Sequence, residues 1–280
     1  MTRGARLALP VWDPRRAAIW TLVALGGIVM VMPFAFMIST SLKTSDAIYE
    51  IGLIPRAPTL ENYALLFAES RFLRWFANSL MVSTATTASV LFFDSLAGYV
   101  LCKYRFRGRE IAFVAILSTL MIPTEMLVIP WYVMSKTMGW LDSYWGIAFP
   151  GLVTGFGVFL MKQFFESVPD ALIDAGRIDG LSEFRIFWEI ALPLVTPALS
   201  ALAIFTFLGN WTAFLWPLIV TNSADNFTVP VGLAAFAGEF ATEWNMIMTG
   251  AAVATLPVLV VFMLLQKYII RGVILSGVKG

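Results

Sequence analysis

Six stretches of this chain, 17–40, 75–101, 111–134, 144–165, 190–221 and 246–270, are apolar over more than the roughly 20 residues a helix needs to cross a hydrocarbon core. The pattern predicts an all-α integral membrane protein with six transmembrane helices, a single domain spanning residues 1–280. The polar positions gather between the runs. Residues 42–74 form the largest hydrophilic piece and are expected to cap the second run. Residues 222–245 carry Asp225, Glu239 and Glu243 without a lysine or arginine, and 166–189 read as a loop between the fourth and fifth runs. Basic residues precede the first run, but it is long for a signal peptide and ends in Met37-Ile38-Ser39-Thr40-Ser41 without a cleavage pattern. It is therefore read as a retained anchor.

The loop 166–189 differs from the rest of the chain. Glu166, Asp170, Asp174, Asp179, Glu183 and Glu189 supply a third of its 18 acids, so it reads as a hydrated face. Ser167 is a suitable N-cap, with Pro169 and Asp170 in the first turn, and Gly180 reads as a helix stop. Ser182 and Glu183 begin a second helix that runs through Phe184, Ile186, Phe187 and Trp188 into the fifth run. Three-and-four spacing places Leu172, Ala175 and Gly176 on one face and lets Asp174 pair with Arg177. Small residues at 175, 176 and 180 leave room for another protein's backbone or aromatic side chains.

Composition agrees with a bilayer. The chain is 59% hydrophobic and 13% charged, with a mean hydropathy of +0.80. A net charge of +1 without a basic stripe excludes an electrostatic nucleic-acid binder. Histidine is absent and Cys102 stands alone, which removes intrachain disulfides, Cys/His zinc sites and Ser-His-Asp chemistry. With the N-terminus inside, 14 of the 19 Lys and Arg residues fall on the inner segments, led by Lys103, Arg105, Arg107 and Arg109, so both termini are expected in the cytoplasm. Trp12, Trp20, Trp75, Trp140, Trp145 and Trp244 lie near run ends, where amphipathic rings form an interfacial belt.

Asp174-Ala175-Gly176, three residues, Gly180, nine residues, then Ile190-Ala191-Leu192-Pro193 resembles the EAA loop of ABC-importer permeases. Asp174 stands where that family usually has Glu, and Gly176 where it has a second Ala. The resemblance implies a coupling helix that docks in a cleft of a cytoplasmic ATPase dimer, with Asp174, Ala175, Gly176, Arg177, Asp179, Gly180, Ile190, Leu192 and Pro193 as its residues. The chain has no G-x-x-x-x-G-K-[ST], so it binds no cofactor of its own, and ATP and Mg are used by the partner.

Asn62-Tyr63, Asn78-Ser79-Leu80, Phe106-Arg107-Gly108, Leu141-Asp142-Ser143 and the tail from Arg271-Gly272 to Val278-Lys279-Gly280 are similar to one branch, the maltose-transporter type of sugar-importer permease. This branch implies the smaller of two different permeases in a bacterial or archaeal cytoplasmic membrane, served by an external substrate-binding protein for which 222–245 is a candidate contact. The branch commonly has Trp-Asn in the fifth span, where this chain has Trp211-Thr212 preceded by Asn210.

Two acids fall inside the runs, Asp94 and Glu125. Ionisable groups at membrane depth are costly and point to function, and Pro123 and Pro130 flank Glu125 and loosen its helix. Either acid also fits a structural role, hydrogen-bonded to a neighbouring helix. Asn210, Trp211, Thr212 and Trp216 combine polar edges with aromatic faces suited to sugar rings, and helix packing accounts for them equally well. No Lys or Arg lies mid-run, which favours a neutral, hydroxyl-rich substrate. A permease for a polyol or glycerol phosphate, and an ion-coupled secondary transporter using Asp94 and Glu125, are the alternatives.

Overall fold

The computed structural model describes residues 14–50, 52–238 and 242–277. Trp12, Glu239 and the tail Val278-Lys279-Gly280 lie outside them. The regular secondary structure of the described residues is helical, apart from one isolated antiparallel bridge between Ala237 and Thr242. Three helices are long and apolar enough to cross a membrane: α1 (Pro14–Ser41), α3 (Phe72–Lys103) and, near the end, Trp244–Gly277. A short α2 (Glu61–Glu69) precedes α3.

The other three hydrophobic runs are broken, which corrects the expectation of continuous helices. The third is α4 (Arg109–Thr119) and α5 (Val128–Thr137) with a 3-10 turn at Thr124–Leu127 between them, bent by 93°. Pro123 sits in extended backbone at the break, where its ring and missing N–H stop the helix. Pro130 is in the first turn of α5, where a backbone N–H would have no helical partner, so the donor that proline lacks breaks nothing.

The fourth run is α6 (Tyr144–Ala148), a 3-10 turn through Pro150, and α7 (Gly155–Phe165), bent by 42°. After α8 (Asp170–Ile178), the fifth is α9 (Glu183–Leu194) and α10 (Thr196–Trp211), bent by 84°. The chain continues through α11 (Leu215–Val220), α12 (Val229–Ala234) and α13 (Trp244–Gly277). Three helices therefore span by length and composition, or up to six if each bent pair is one span.

Unbroken α3 is the axis, packed along α7 and α10. Its buried face carries Asn78, Ser79, Ser83, Thr86, Thr87, Ser95 and Gly98, small or hydroxyl residues that let helices approach closely. A Cβ on Gly98 would stand 2.7 Å from the Lys162 backbone nitrogen, so only glycine fits there. By contrast, α1 rests on α13 and presents most of its apolar surface outward. That surface suits lipid.

Residues 42–74 cap the start of α13 as well as that of α3: Leu66 of α2 is buried with Phe72, Trp75, Val229 and Met246. Trp75 is a core residue and not part of an interfacial belt. It is 5% exposed, donates to the Ala224 carbonyl at 2.8 Å and packs edge-on against Phe236. Asn62 joins three elements, its amide donating to the carbonyls of Ser41 and Lys43 at 2.9 and 2.7 Å while its oxygen accepts from Asn245 at 3.1 Å. Asn62→Ala strands those buried groups and is expected to cost about 1–3 kcal/mol, read as a lower thermal unfolding midpoint of the purified protein in detergent. An unchanged midpoint would show that water replaces the amide there.

Candidate coupling and translocation sites

The loop 166–189 folds as helix, glycine corner, helix. Its first helix begins later than expected: Pro169 occupies the N-cap position of α8, and the Ser167 hydroxyl turns back to the Phe164 carbonyl at 2.7 Å. The start of α8 is anchored instead by another element. Lys103, the last residue of α3, donates to Asp170 in the first turn at 2.7 Å and to the Val168 carbonyl at 2.5 Å. The Lys103 side chain is 6% exposed and that of Asp170 81%, so the clamp is half buried. The ammonium holds the Asp170 carboxyl below the ordinary carboxylate range.

Gly180 ends α8 as its position in the sequence foretells, at φ +76°. Leu181 N–H donates to Gly176 O and Gly180 N–H to Arg177 O, the paired bonds of a Schellman cap. Ser182 then caps α9, accepting from the Arg185 N–H at 3.4 Å. Arg177 ties the two helices together. It pairs with Asp174 at 3.0 Å and grips both oxygens of Glu183 at 2.8 and 3.3 Å, and the Tyr104 hydroxyl donates to the same carboxylate. Arg177, then Tyr104, hold the Glu183 carboxyl below its usual range, while burial and then Glu183 push the Tyr104 phenol up.

The faces of α8 are rotated from those expected. Ile173 and Gly176 point inward and Leu172 and Ala175 outward, because Ile186 and Ile190 of α9 fill the space across the corner. A Cβ on Gly176 would meet the Ile190 terminal methyl at 2.7 Å, so Gly176 packs within this chain and is not open to a partner. Leu172, Ala175 and Ile178 instead form an exposed apolar stripe, with Ile178 85% exposed. Asp174, Asp179 and Gly180 are exposed beside it.

Ile190-Ala191-Leu192-Pro193 lies at the end of α9, before the 84° corner. Residues Ile186–Ala191 form a π-turn. Pro193 can neither donate to the Glu189 carbonyl nor tolerate its approach, and the wider turn accommodates both constraints. The buried core of α3, α7 and α10 continues into this region: Tyr99, Met161, Phe165, Ile173, Ile186, Phe187, Ala191, Val195 and Ala198 form one cluster. The Lys103 clamp and the π-turn were missed in the sequence; only the Pro193 signal hinted at the second.

The residues proposed for a substrate path do not converge within this chain. The Asn210 amide nitrogen donates to Thr206 O at 2.9 Å, and its oxygen lies against Gly151. Trp211 is buried, donates to Ala254 O at 3.0 Å and stacks on Phe207. Trp216 donates to Gly146 O at 3.0 Å and packs against Trp131 and Phe149. Thr212 is exposed at the end of α10, its hydroxyl bonded back to Leu208 O at 2.8 Å. Glu125 stands apart, exposed in the 3-10 turn at the 93° bend.

Asp94 is fully buried and joins α3 to the start of α7. Its carboxylate accepts from the Thr154 backbone N–H at 3.1 Å and from the Thr154 hydroxyl at 2.6 Å. The Thr154 hydroxyl in turn caps α7, accepting from Gly157 N–H at 3.0 Å. Ser89, on the same helix as Asp94, donates to Leu152 O at 2.7 Å, so α3 satisfies the broken backbone of the fourth run.

A family model described as "binding-protein-dependent transport system inner membrane component" matches residues 94–275. The arabinooligosaccharides transport system permease protein AraQ of Bacillus subtilis (strain 168) is 36% identical over 97% of this chain and 98% of its own length. The lactose transport system permease protein LacG of Rhizobium radiobacter is 31% identical over 93% and 95%, and the sn-glycerol-3-phosphate transport system permease protein UgpE of Brucella abortus (strain 2308) 31% over 90% and 94%. Among solved structures, a bacterial ABC transporter involved in import of the acidic polysaccharide alginate superposes with a TM-score of 0.79 at 22% identity, over 93% of this chain and 99% of that one, which establishes the shared fold. With its broken spans and its capped corner between the fourth and fifth runs, this chain belongs to the family of inner-membrane components of binding-protein-dependent transport systems.

Proposed function

We propose that this chain is a permease subunit of an ATP-driven importer and forms half of the translocation path for an oligosaccharide handed over by an external binding protein. The observation that carries the reading is the α8–α9 corner. Its inner side shares a core with the spans, and its outer side offers an apolar stripe that water alone would leave uncovered. A cytoplasmic ATPase dimer that hydrolyses ATP with Mg is the partner suited to that stripe. The distribution of basic residues supports both termini on the same side as α8, and three continuous helices with three bent pairs support six spans.

A second, different permease completes the path. Glu125 supports its placement: irregular backbone at membrane depth is stable only against protein or a water-filled passage, and a carboxylate there has the same requirement. Of the residues considered for the path, Glu125 and Thr212 are the two with exposed polar side chains. The higher identity to the arabinooligosaccharide system favours an oligosaccharide over the second reading, a glycerol phosphate. The test is uptake by proteoliposomes holding this chain, its partner permease and ATPase, with the cognate binding protein outside. Arabinose-containing oligosaccharides are expected to accumulate in an ATP-dependent way and glycerol 3-phosphate is not. The reverse ranking would select the second reading.

A further inference from the structure

We infer that the turn between α3 and α4 binds an anionic phosphate group, supplied by a phospholipid headgroup of the membrane. A cavity of about 630 Å³ opens there, between the end of α3 and the start of α4. Its walls bring Lys103, Arg105 and Arg109 together, with Phe106 and Ile111 on the rim. Two acids also line it, and both are already occupied: Asp170 by Lys103 at 2.7 Å and Glu110 by Arg109 at 2.7 Å. Arg105 is exposed, and its charge acts on Asp170 only at a distance, without a hydrogen bond or close ion pair among the described residues. Its guanidinium is therefore the cation left to meet an incoming anion, at a wall where Lys103 and Arg109 add positive potential.

The rim identifies the source. Phe106 and Ile111 are 46% and 76% exposed, where α3 has ended and α4 begins. Apolar groups beside a cationic cavity suit an acyl chain attached to a phosphate, and a free phosphate would use only the cationic part. Because Lys103 and Asp170 form one wall, an occupant here touches the clamp that starts α8. Headgroup charge is thereby brought next to the segment through which the corner joins α3. This inference is independent of which solute is carried.

Cys102 also lines the cavity and is the chain's one cysteine, so it reports occupancy in the unaltered protein. The assembled transporter is placed in nanodiscs of phosphatidylcholine alone or with phosphatidylglycerol, and maleimide modification of this chain is followed by mass. Phosphatidylglycerol is expected to slow Cys102 modification about fivefold, the effect of roughly one juxtamembrane cation on an anionic lipid. Arg105→Gln is expected to remove the protection. Inorganic phosphate giving equal protection in phosphatidylcholine would overturn the lipid as source. Native mass spectrometry supplies a second readout, in which Arg105→Gln retains about fivefold less phosphatidylglycerol. Equal modification in both lipids together with equal retention by both proteins overturns the site, and if Cys102 fails to react in either lipid, retention alone decides.

Discussion

Replacing Ile178 by glutamate is expected to reduce ATP-dependent uptake at least about 30-fold while leaving the purified membrane protein as heat-stable as before. Ile178 is the last residue of α8 and is 85% exposed, so within this chain the change removes almost no packing. Against a partner the same side chain is the most protruding apolar group of the Leu172, Ala175, Ile178 stripe. A central apolar anchor of an interface is worth about 2 kcal/mol or more, which is about 30-fold in association, and a buried, unpaired carboxylate adds to the loss. Co-purification of the ATPase should fall in parallel. Ile178→Val, which keeps the apolar surface, is expected to retain both. If glutamate leaves uptake and co-purification intact, α8 is not where the ATPase docks.

The second large effect concerns Asp94. Asp94→Ala leaves the Thr154 N–H and hydroxyl without an acceptor in a buried site, at about 1–3 kcal/mol each, and opens a void beside α7. The combined loss is of the order of 3 kcal/mol or more, so the variant should accumulate poorly in membranes and unfold at a clearly lower temperature in detergent. Asp94→Asn keeps one accepting oxygen and should lie between the two. An independent approach to the same contact is Gly157→Ala, whose Cβ would stand 2.1 Å from the Asp94 carboxylate and must displace it. A normal melting temperature for both Asp94→Ala and Gly157→Ala would return Asp94 to the substrate path or to ion coupling.

The hydrophobic runs announce the membrane, because each sums enough apolar side chains to identify hydrocarbon as its solvent. They do not announce the breaks. Hydropathy counts side chains, whereas the breaks at Pro123 and around Pro193 are backbone events, and the one after Pro150 is repaired by Asp94 and Ser89 from another helix. Gly180 and Ser182 were legible because a left-handed residue and an N-cap are local requirements. The buried face of α8 was not. In nine residues both Leu172 and Ile173 offer an apolar stripe, and the choice is made by Ile186 and Ile190 across the corner. Trp211 and Trp216 suggested a sugar platform by composition, but each indole N–H is claimed by a backbone carbonyl of a neighbouring helix or of the break between two.

The two ends of the molecule are held differently. At the end that carries residues 222–228 the amide of Asn78 binds the carbonyls of Asp225 and Phe227, its oxygen accepts from Tyr144, and Asp142 receives the N–H groups of Asn222 and Ser223. Loops there are sewn to helices at many points. At the end that carries α8, the helix is attached through the Lys103 clamp, the Arg177 grip on Glu183 and the core that Ile173 shares with α3, α7 and α10. A displacement of α8 therefore reaches α10 by way of α9 and the 84° corner.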